Sequence, residues 1–235
     1  MSLPEGRSMN KHIEVIALVE GKTEEIFINK LIKPWLAEKH IFIRCTQVSK
    51  PGQKGGDVRF SRVKRDIGAH LKQRTDTCVT TFIDYYGVKE WPGLQEVPEG
   101  AAPEMIAEFM NSATKAKIAE LFPTLRIEER FIPFMAIHEF EALLFSDAKI
   151  LADELKVSVS EIESILKKCG GPEGINNNKN TAPSKRLDAW SKNGKFAKTT
   201  TGITIAERIG IPVMRKECRL FDAWLSQLES MQTRL

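Results

Sequence analysis

The chain has 235 residues, 42% of them hydrophobic and 28% charged, enough to bury one core of ordinary domain size with or without a small appendage. A formal charge of +4 and a pI near 8.8 are too mild for a histone-like electrostatic binder, yet compatible with a phosphate-rich partner. The isolated cysteines Cys45, Cys78, Cys169 and Cys218 form no C-x-x-C pair, which argues against a zinc knuckle or redox motif and for small buried thiols in a reducing compartment.

Residues 1–10 read as a leader or expression remnant, since Met1–Ser8 lacks the apolar stretch of a signal peptide. Ile13–Val19 (IEVIALV) is a β-branched apolar run, the mark of a strand buried on both faces. It breaks at Glu20-Gly21, and Thr23 opens a helical pattern with Glu24 and Glu25 in the first turn, where the macrodipole favours acids. Pro34 lies inside that pattern and predicts a kink near Lys33. Ile41–Val48 reads as a second strand, Lys50–Asp57 as a Gly-rich basic loop, and Val58–Arg74 as a basic helix. Thr77–Ile83 is a third strand ending at Asp84; residues 85–102 form a long loop carrying Trp91, and Ala102–Leu121 returns to helix. Glu129–Ile137 reads as one fourth strand, running into His138-Glu139-Phe140-Glu141. Strands alternating with helices predict an α/β domain over residues 11–146, with a mostly parallel central sheet flanked by helices. Residues 147–235 read as a helical extension packed on that sheet. No apolar run approaches the roughly 18–20 residues of a membrane span, so a cytoplasmic address without membrane contact is expected.

Three predicted strands end in carboxylates: Glu20, Asp84, and Glu139 with Glu141 close behind. In an open parallel sheet, ligands bind outside the carboxyl ends of the strands, so these residues are expected to converge. Like charges at short range raise one another's pKa, and a hard cation such as Mg²⁺ or Mn²⁺ relieves the conflict through oxygen ligands. Such an ion activates water or stabilises a leaving alkoxide in phosphodiester chemistry. The plainer alternative is that each carboxylate is a solvated turn residue or helix cap.

The same residues carry a resemblance. Val19-Glu20-Gly21-Lys22-Thr23-Glu24 after an apolar strand resembles the first Toprim motif, a strand-end Glu followed by Gly. Phe82-Ile83-Asp84-Tyr85-Tyr86-Gly87 resembles the second, which is Asp-x-Asp in Toprim proteins, with Tyr86 in place of the second Asp. Over residues 11–230 the chain looks like an uncharacterised bacterial and archaeal family of Toprim-like proteins. Its pattern is met here in VEGKTEE, FIDYYG, WPG, HEFEALLFSD, APSKR and the R-x-x-C-x-x-F-x-x-W-L of Arg215 to Leu225. Toprim domains serve in topoisomerases, bacterial primases and overcoming-lysogenisation-defect nucleases. The resemblance implies a Toprim-like (Rossmann-like) fold, Mg²⁺ or Mn²⁺ as cofactor, and nucleic acid as partner, DNA ahead of RNA. It also implies an ATPase alongside in a defence or genome-maintenance system. Glu20, Asp84 and Glu139 would then hold metal, and Glu141 would hold a second ion or act as base.

Other candidates each have two readings. Lys50 and Lys54 sit in a loop suited either to phosphate contact or to plain surface connection. Arg59 and Arg62 begin a basic helix that is either a solvated face or a nucleic-acid contact. His138 either touches the site or is structural; a zinc-protease pattern needs a second His where the chain has Ala142. Lys185 and Arg186, at a helix start where cations are unfavourable, either contact a substrate phosphate or pair with Glu139 or Glu141.

Three functions compete. The leading one is a metal-dependent nuclease or related phosphoryl-transfer enzyme. The second is a non-catalytic binding module or partner subunit, for which Tyr86 speaks. The third, a haloacid-dehalogenase-type phosphatase, needs an Asp where Tyr86 stands and leaves Glu20-Gly21 unexplained.

Overall fold

The computed structural model describes residues 12–48, 58–86, 88–137, 139–175 and 180–233. Strand β1 is Ile13–Val19, as its composition predicts. Val15, Ala17 and Val19 enter one apolar layer while Ile16 and Leu18 enter the other, because successive side chains of a strand point to opposite faces. Both faces are covered, which is why the run shows no polar alternation. β2 (Ile41–Gln47) and β3 (Thr77–Asp84) pair with β1 on either side, both parallel to it. Two short strands, β4 (Phe131–Ile132) and β5 (Met135–Ala136), pair in parallel with β3, giving the order β2-β1-β3-β4 with β5 also beside β3. The chain passes from β1 to β2 on one side, then back across β1 to β3 on the other. The switch point therefore lies between β1 and β3, at the edge that carries Glu20 and Asp84.

Helix α1 (Lys22–Phe27), a π-helical turn (Ile28–Ile32) and α2 (Lys33–Ala37) follow β1 as one bent unit. The kink predicted near Lys33 takes the form of that π turn. Pro34 has no N–H for the preceding turn and its ring crowds the carbonyl four residues back, so the ladder widens ahead of it. On the opposite face lie α3 (Phe60–Gln73) and α4 (Pro103–Leu121), whose Val63, Ile67, Met110 and Ile118 pack with Ile16 and Leu18.

The single fourth strand predicted over Glu129–Ile137 is corrected. Ile127–Arg130 is a helical turn, α5, and Pro133 separates β4 from β5. Proline cannot donate to the ladder, and the Thr81 hydroxyl patches the gap: it accepts the Phe134 N–H at 2.9 Å and donates to the Phe134 carbonyl at 3.2 Å.

The remainder is helical: a 3₁₀ helix (Phe140–Ser146), α6 (Ala148–Leu155), α7 (Val159–Cys169), α8 (Pro183–Trp190), a π turn (Lys198–Gly202), α9 (Ile203–Ile209), α10 (Ile211–Glu217) and α11 (Arg219–Glu229). Its apolar faces join the layer of Val15 and Val19, where Phe27, Phe82, Phe140, Phe221 and Trp224 form an aromatic cluster. The Trp224 indole N–H donates to Thr80 Oγ1 at 2.8 Å, tying α11 to the middle of β3. Among the described residues no helix is long and apolar enough to cross a membrane.

Candidate functional site

Each carboxylate at the switch point arrives by a local rule. After β1 comes the half-buried Glu20, and Gly21 then caps α1. A Cβ on Gly21 would stand 3.2 Å from Glu24 Oε2, so the bare glycine gives that carboxylate room to fold back. Glu24, third in the helix, accepts the Gly21 N–H, the reciprocal half of a capping box, and is buried. Asp84 ends β3 opposite Ala136; its Oδ1 is buried and receives no hydrogen bond. Glu139 and Glu141 follow β5. Glu139 Oε2 accepts the Ser184 N–H at 3.0 Å, in the first turn of α8. Glu141 is only 2% exposed, and its Oε1 pairs with Lys198 Nζ at 2.5 Å.

The electrostatics follow from this crowding. Burial raises the Asp84 carboxyl well above the usual carboxylate range, and the charges of Glu24, Glu20, Glu141 and Glu139 push it further. Burial likewise raises Glu24, against its own and the Gly21 N–H and the charge of Lys198. Glu141 is raised by burial against the attraction of Lys198. Burial pulls the Lys198 ammonium down, but Glu141, Glu139 and Asp84 outweigh it and hold the group above its ordinary value. Lys198 thus interacts with four of these carboxylates, Glu24, Asp84, Glu139 and Glu141. Among the described residues, no three His, Cys, Asp or Glu side chains form a ready-made metal-ligating group.

A family model described as Domain of unknown function (DUF4276) matches residues 19–229. The chain belongs to that family. Among curated proteins and among solved structures, none matches the chain. The DUF4276 match begins at the residue before Glu20 and takes in every carboxylate of the cluster together with Lys198.

Within this DUF4276 chain, three of the carboxylates expected at the strand ends, Glu20, Glu139 and Glu141, act through charge on the fourth, Asp84. Lys185 and Arg186 have partners other than Glu139 and Glu141. Lys185 Nζ lies 3.8 Å from Asp188, and Arg186 Nε donates to the Thr181 carbonyl at 2.9 Å. What α8 gives Glu139 is the backbone N–H of Ser184, and the ion pair with Glu141 comes from Lys198. Arg59 and Arg62 open α3, which leaves the same edge from the end of β2. Lys50, Lys54 and His138 lie outside the described residues. Trp91 is buried and donates to Thr114 Oγ1 at 2.7 Å, an anchor for its loop rather than a stacking platform. Tyr86, at the place of the second motif Asp, is exposed.

Sequence reasoning missed Glu24 and Lys198. Glu24 had a signal, since an acid three residues after a glycine cap turns back on the helix start. Lys198, in KFAKTTTG, had none.

A groove of 760 Å³ between α3, α4 and the Trp91 loop contains none of the cluster carboxylates. Its cations Lys64, Lys89 and Lys117 are matched by Glu90, Glu96 and Glu120, so it offers no net charge to a polyanion.

Proposed function

We propose that the carboxylate edge binds a divalent cation, Mg²⁺ or Mn²⁺, and serves phosphodiester chemistry on nucleic acid, DNA ahead of RNA, in a metal-dependent nuclease or related phosphoryl-transfer enzyme. The observation that carries this reading is Asp84 Oδ1, a carboxylate oxygen with no donor among the described residues, in a group whose pKa is raised by burial and then by four neighbouring carboxylates. Native proteins rarely leave such an atom unpaired, and a hard cation with a preference for oxygen ligands removes the conflict. Glu20, Asp84 and Glu139 are the proposed ligands, joined by Glu24. A bound divalent ion would polarise a phosphoryl oxygen and lower the pKa of its water. Glu141 then acts as base or holds a second ion. Arg59 and Arg62 approach the substrate backbone from the α3 side, and Lys50 and Lys54 are proposed phosphate contacts on the sequence alone. Lys185, whose 3.8 Å contact with Asp188 is long, remains the candidate phosphate contact from α8. The likeness of VEGKTEE and FIDYYG to Toprim motifs supports the same assignment, as does the placement of both segments at a parallel-sheet switch point. A cytoplasmic address and a partner ATPase in defence or DNA maintenance go with it.

Incubating the purified protein with plasmid, single-stranded DNA or RNA and Mg²⁺ or Mn²⁺ tests this reading. Cleavage is expected, with a loss on the order of 100-fold in Glu20→Ala. No cleavage of any substrate, or a Glu20→Ala variant as active as the parent, contradicts it.

A second reading is a non-catalytic Toprim-like module. Tyr86 at the second Asp position and an ammonium already set against Glu141 favour it. Calorimetric titration separates the two, since the module takes up no Mg²⁺ or Mn²⁺ even at millimolar concentration.

A further inference from the structure

Lys198 reaches the carboxylate edge from a π-helical turn, Lys198–Gly202, a geometry that is rare and clusters at functional sites. The turn is pinned from two sides. Just ahead of it, the Phe196 N–H donates to Asp188 Oδ1 of α8 at 2.9 Å. At its end, a Cβ on Gly202 would come within 3.2 Å of the Phe196 ring and 3.7 Å of Leu144 in the 3₁₀ helix, so the backbone is pressed against the elements that carry Glu139 and Glu141.

The side chain bridges two environments. It is 43% exposed, whereas its partner Glu141 is 2% exposed, so Lys198 keeps contact with solvent while its ammonium meets a buried carboxylate. The ammonium lies 2.5 Å from Glu141 Oε1, and among the described residues that oxygen has no other donor. Charge attraction to Glu141, Glu139 and Asp84 helps to hold the ammonium there. A lysine head is a compact point charge on a flexible stem, unlike the rigid fork of an arginine. It can leave along the path by which it enters, and the buried Glu141 cannot follow.

We infer that Lys198 is a tethered counter-cation that competes with the divalent ion for the carboxylate edge and is released from Glu141 toward solvent when that ion binds. This rests on the metal reading proposed above. Two cations a few ångströms apart in a partly buried site repel strongly, so the monovalent, mobile one gives way. Before the ion arrives, Lys198 screens the carboxylates from one another, which accounts for how Glu141 is tolerated with so little access to water. The site would thus be held in readiness by a residue remote in sequence, and its affinity for metal would be set by the removal of that residue from its seat.

The test uses the full chain and Mn²⁺ alone, with affinity measured by calorimetry or electron paramagnetic resonance. Lys198→Met is expected to bind Mn²⁺ at least about tenfold more tightly than the parent, and Lys198→Arg to stay near it or below. A parent that binds Mn²⁺ with Lys198→Met equal or weaker overturns the competition and leaves the metal reading standing. Absence of binding in both overturns the metal reading and this inference with it. Binding by Lys198→Met alone supports competition in its strongest form. A measurement on the parent protein covers the case of a variant that fails to fold: amine labelling read by mass spectrometry. Mn²⁺ should raise the labelling rate of Lys198, and an unchanged or lowered rate contradicts its release.

Discussion

At the amino end of β3 the Arg130 guanidinium, on a residue only 2% exposed, donates to the carbonyls of Thr77 (3.0 Å), Leu71 (3.0 Å), Leu125 (3.2 Å) and Arg74. At the carboxyl end of the same strand, Asp84 keeps a buried oxygen with no donor among the described residues and four carboxylates acting on it. Both ends bury a charge, and the cost of doing so is met in opposite ways. Arg130 replaces its lost water with backbone acceptors, which is how a structural buried charge survives. For Asp84 Oδ1 the described residues supply no replacement for its water, and an unrelieved conflict of that kind is the mark of a site shaped for something other than stability. Distance from solvent is therefore a poor guide to purpose; the set of partners is a better one.

The sharpest way to break this contrast is to remove each charge in turn. Arg130→Met strips donors from several carbonyls and should lower stability by about 3–5 kcal/mol in urea unfolding. Asp84→Asn keeps the shape while relieving the like-charge conflict, and should raise the stability of the metal-free protein by about 1–2 kcal/mol. Losses of similar size in both variants would erase the distinction between the two ends.

The pH dependence sharpens it further. Asp84, Glu24 and Glu141 all hold protons more tightly in the folded chain than in the unfolded one. Between the ordinary carboxylate range and those raised values the folded state binds more protons, so their contribution to stability falls as pH rises through that interval. Asp76 and Asp153, exposed and paired with Arg74 and Arg208, are shifted down and pull the other way, losing their contribution as pH falls. Subtracting the Asp84→Asn curve from the parent's isolates the site, and the difference should widen from mildly acidic to mildly alkaline pH. A flat difference would mean that Asp84 is not the strained group. As the smallest effect, Trp224→Phe removes the indole donor to Thr80 and should cost about 1 kcal/mol in thermal or chemical unfolding, with no influence on metal uptake.

Much of this contrast is readable in the chain itself. IEVIALV and TCVTTFI are rich in β-branched residues and buried nearly throughout because the sheet is covered on both faces, and their ends place Glu20 and Asp84 together once the parallel order is assumed. The apolar stretch around Pro133 hid its own break: Phe131, Ile132, Phe134 and Met135 are all core residues, so hydrophobicity alone cannot distinguish one strand from two. The same stretch hid Arg130, whose role depends on carbonyls from β3, the end of α3 and the turn after α4. Glu24 reads as a surface acid of a first helical turn, since its burial comes from packing by elements that follow far later. Lys198 is invisible for the same reason, because its position is decided by how the C-terminal helices dock and not by any local pattern.

The account turns on whether Asp84 Oδ1 awaits a cation. Soaking crystals in Mn²⁺ and collecting anomalous data addresses that directly. The account predicts an anomalous peak between Glu20 and Asp84, about 2.1–2.2 Å from Asp84 Oδ1. Crystals with no peak at that edge, in several conditions and with Asp84 Oδ1 still unpartnered, would contradict it.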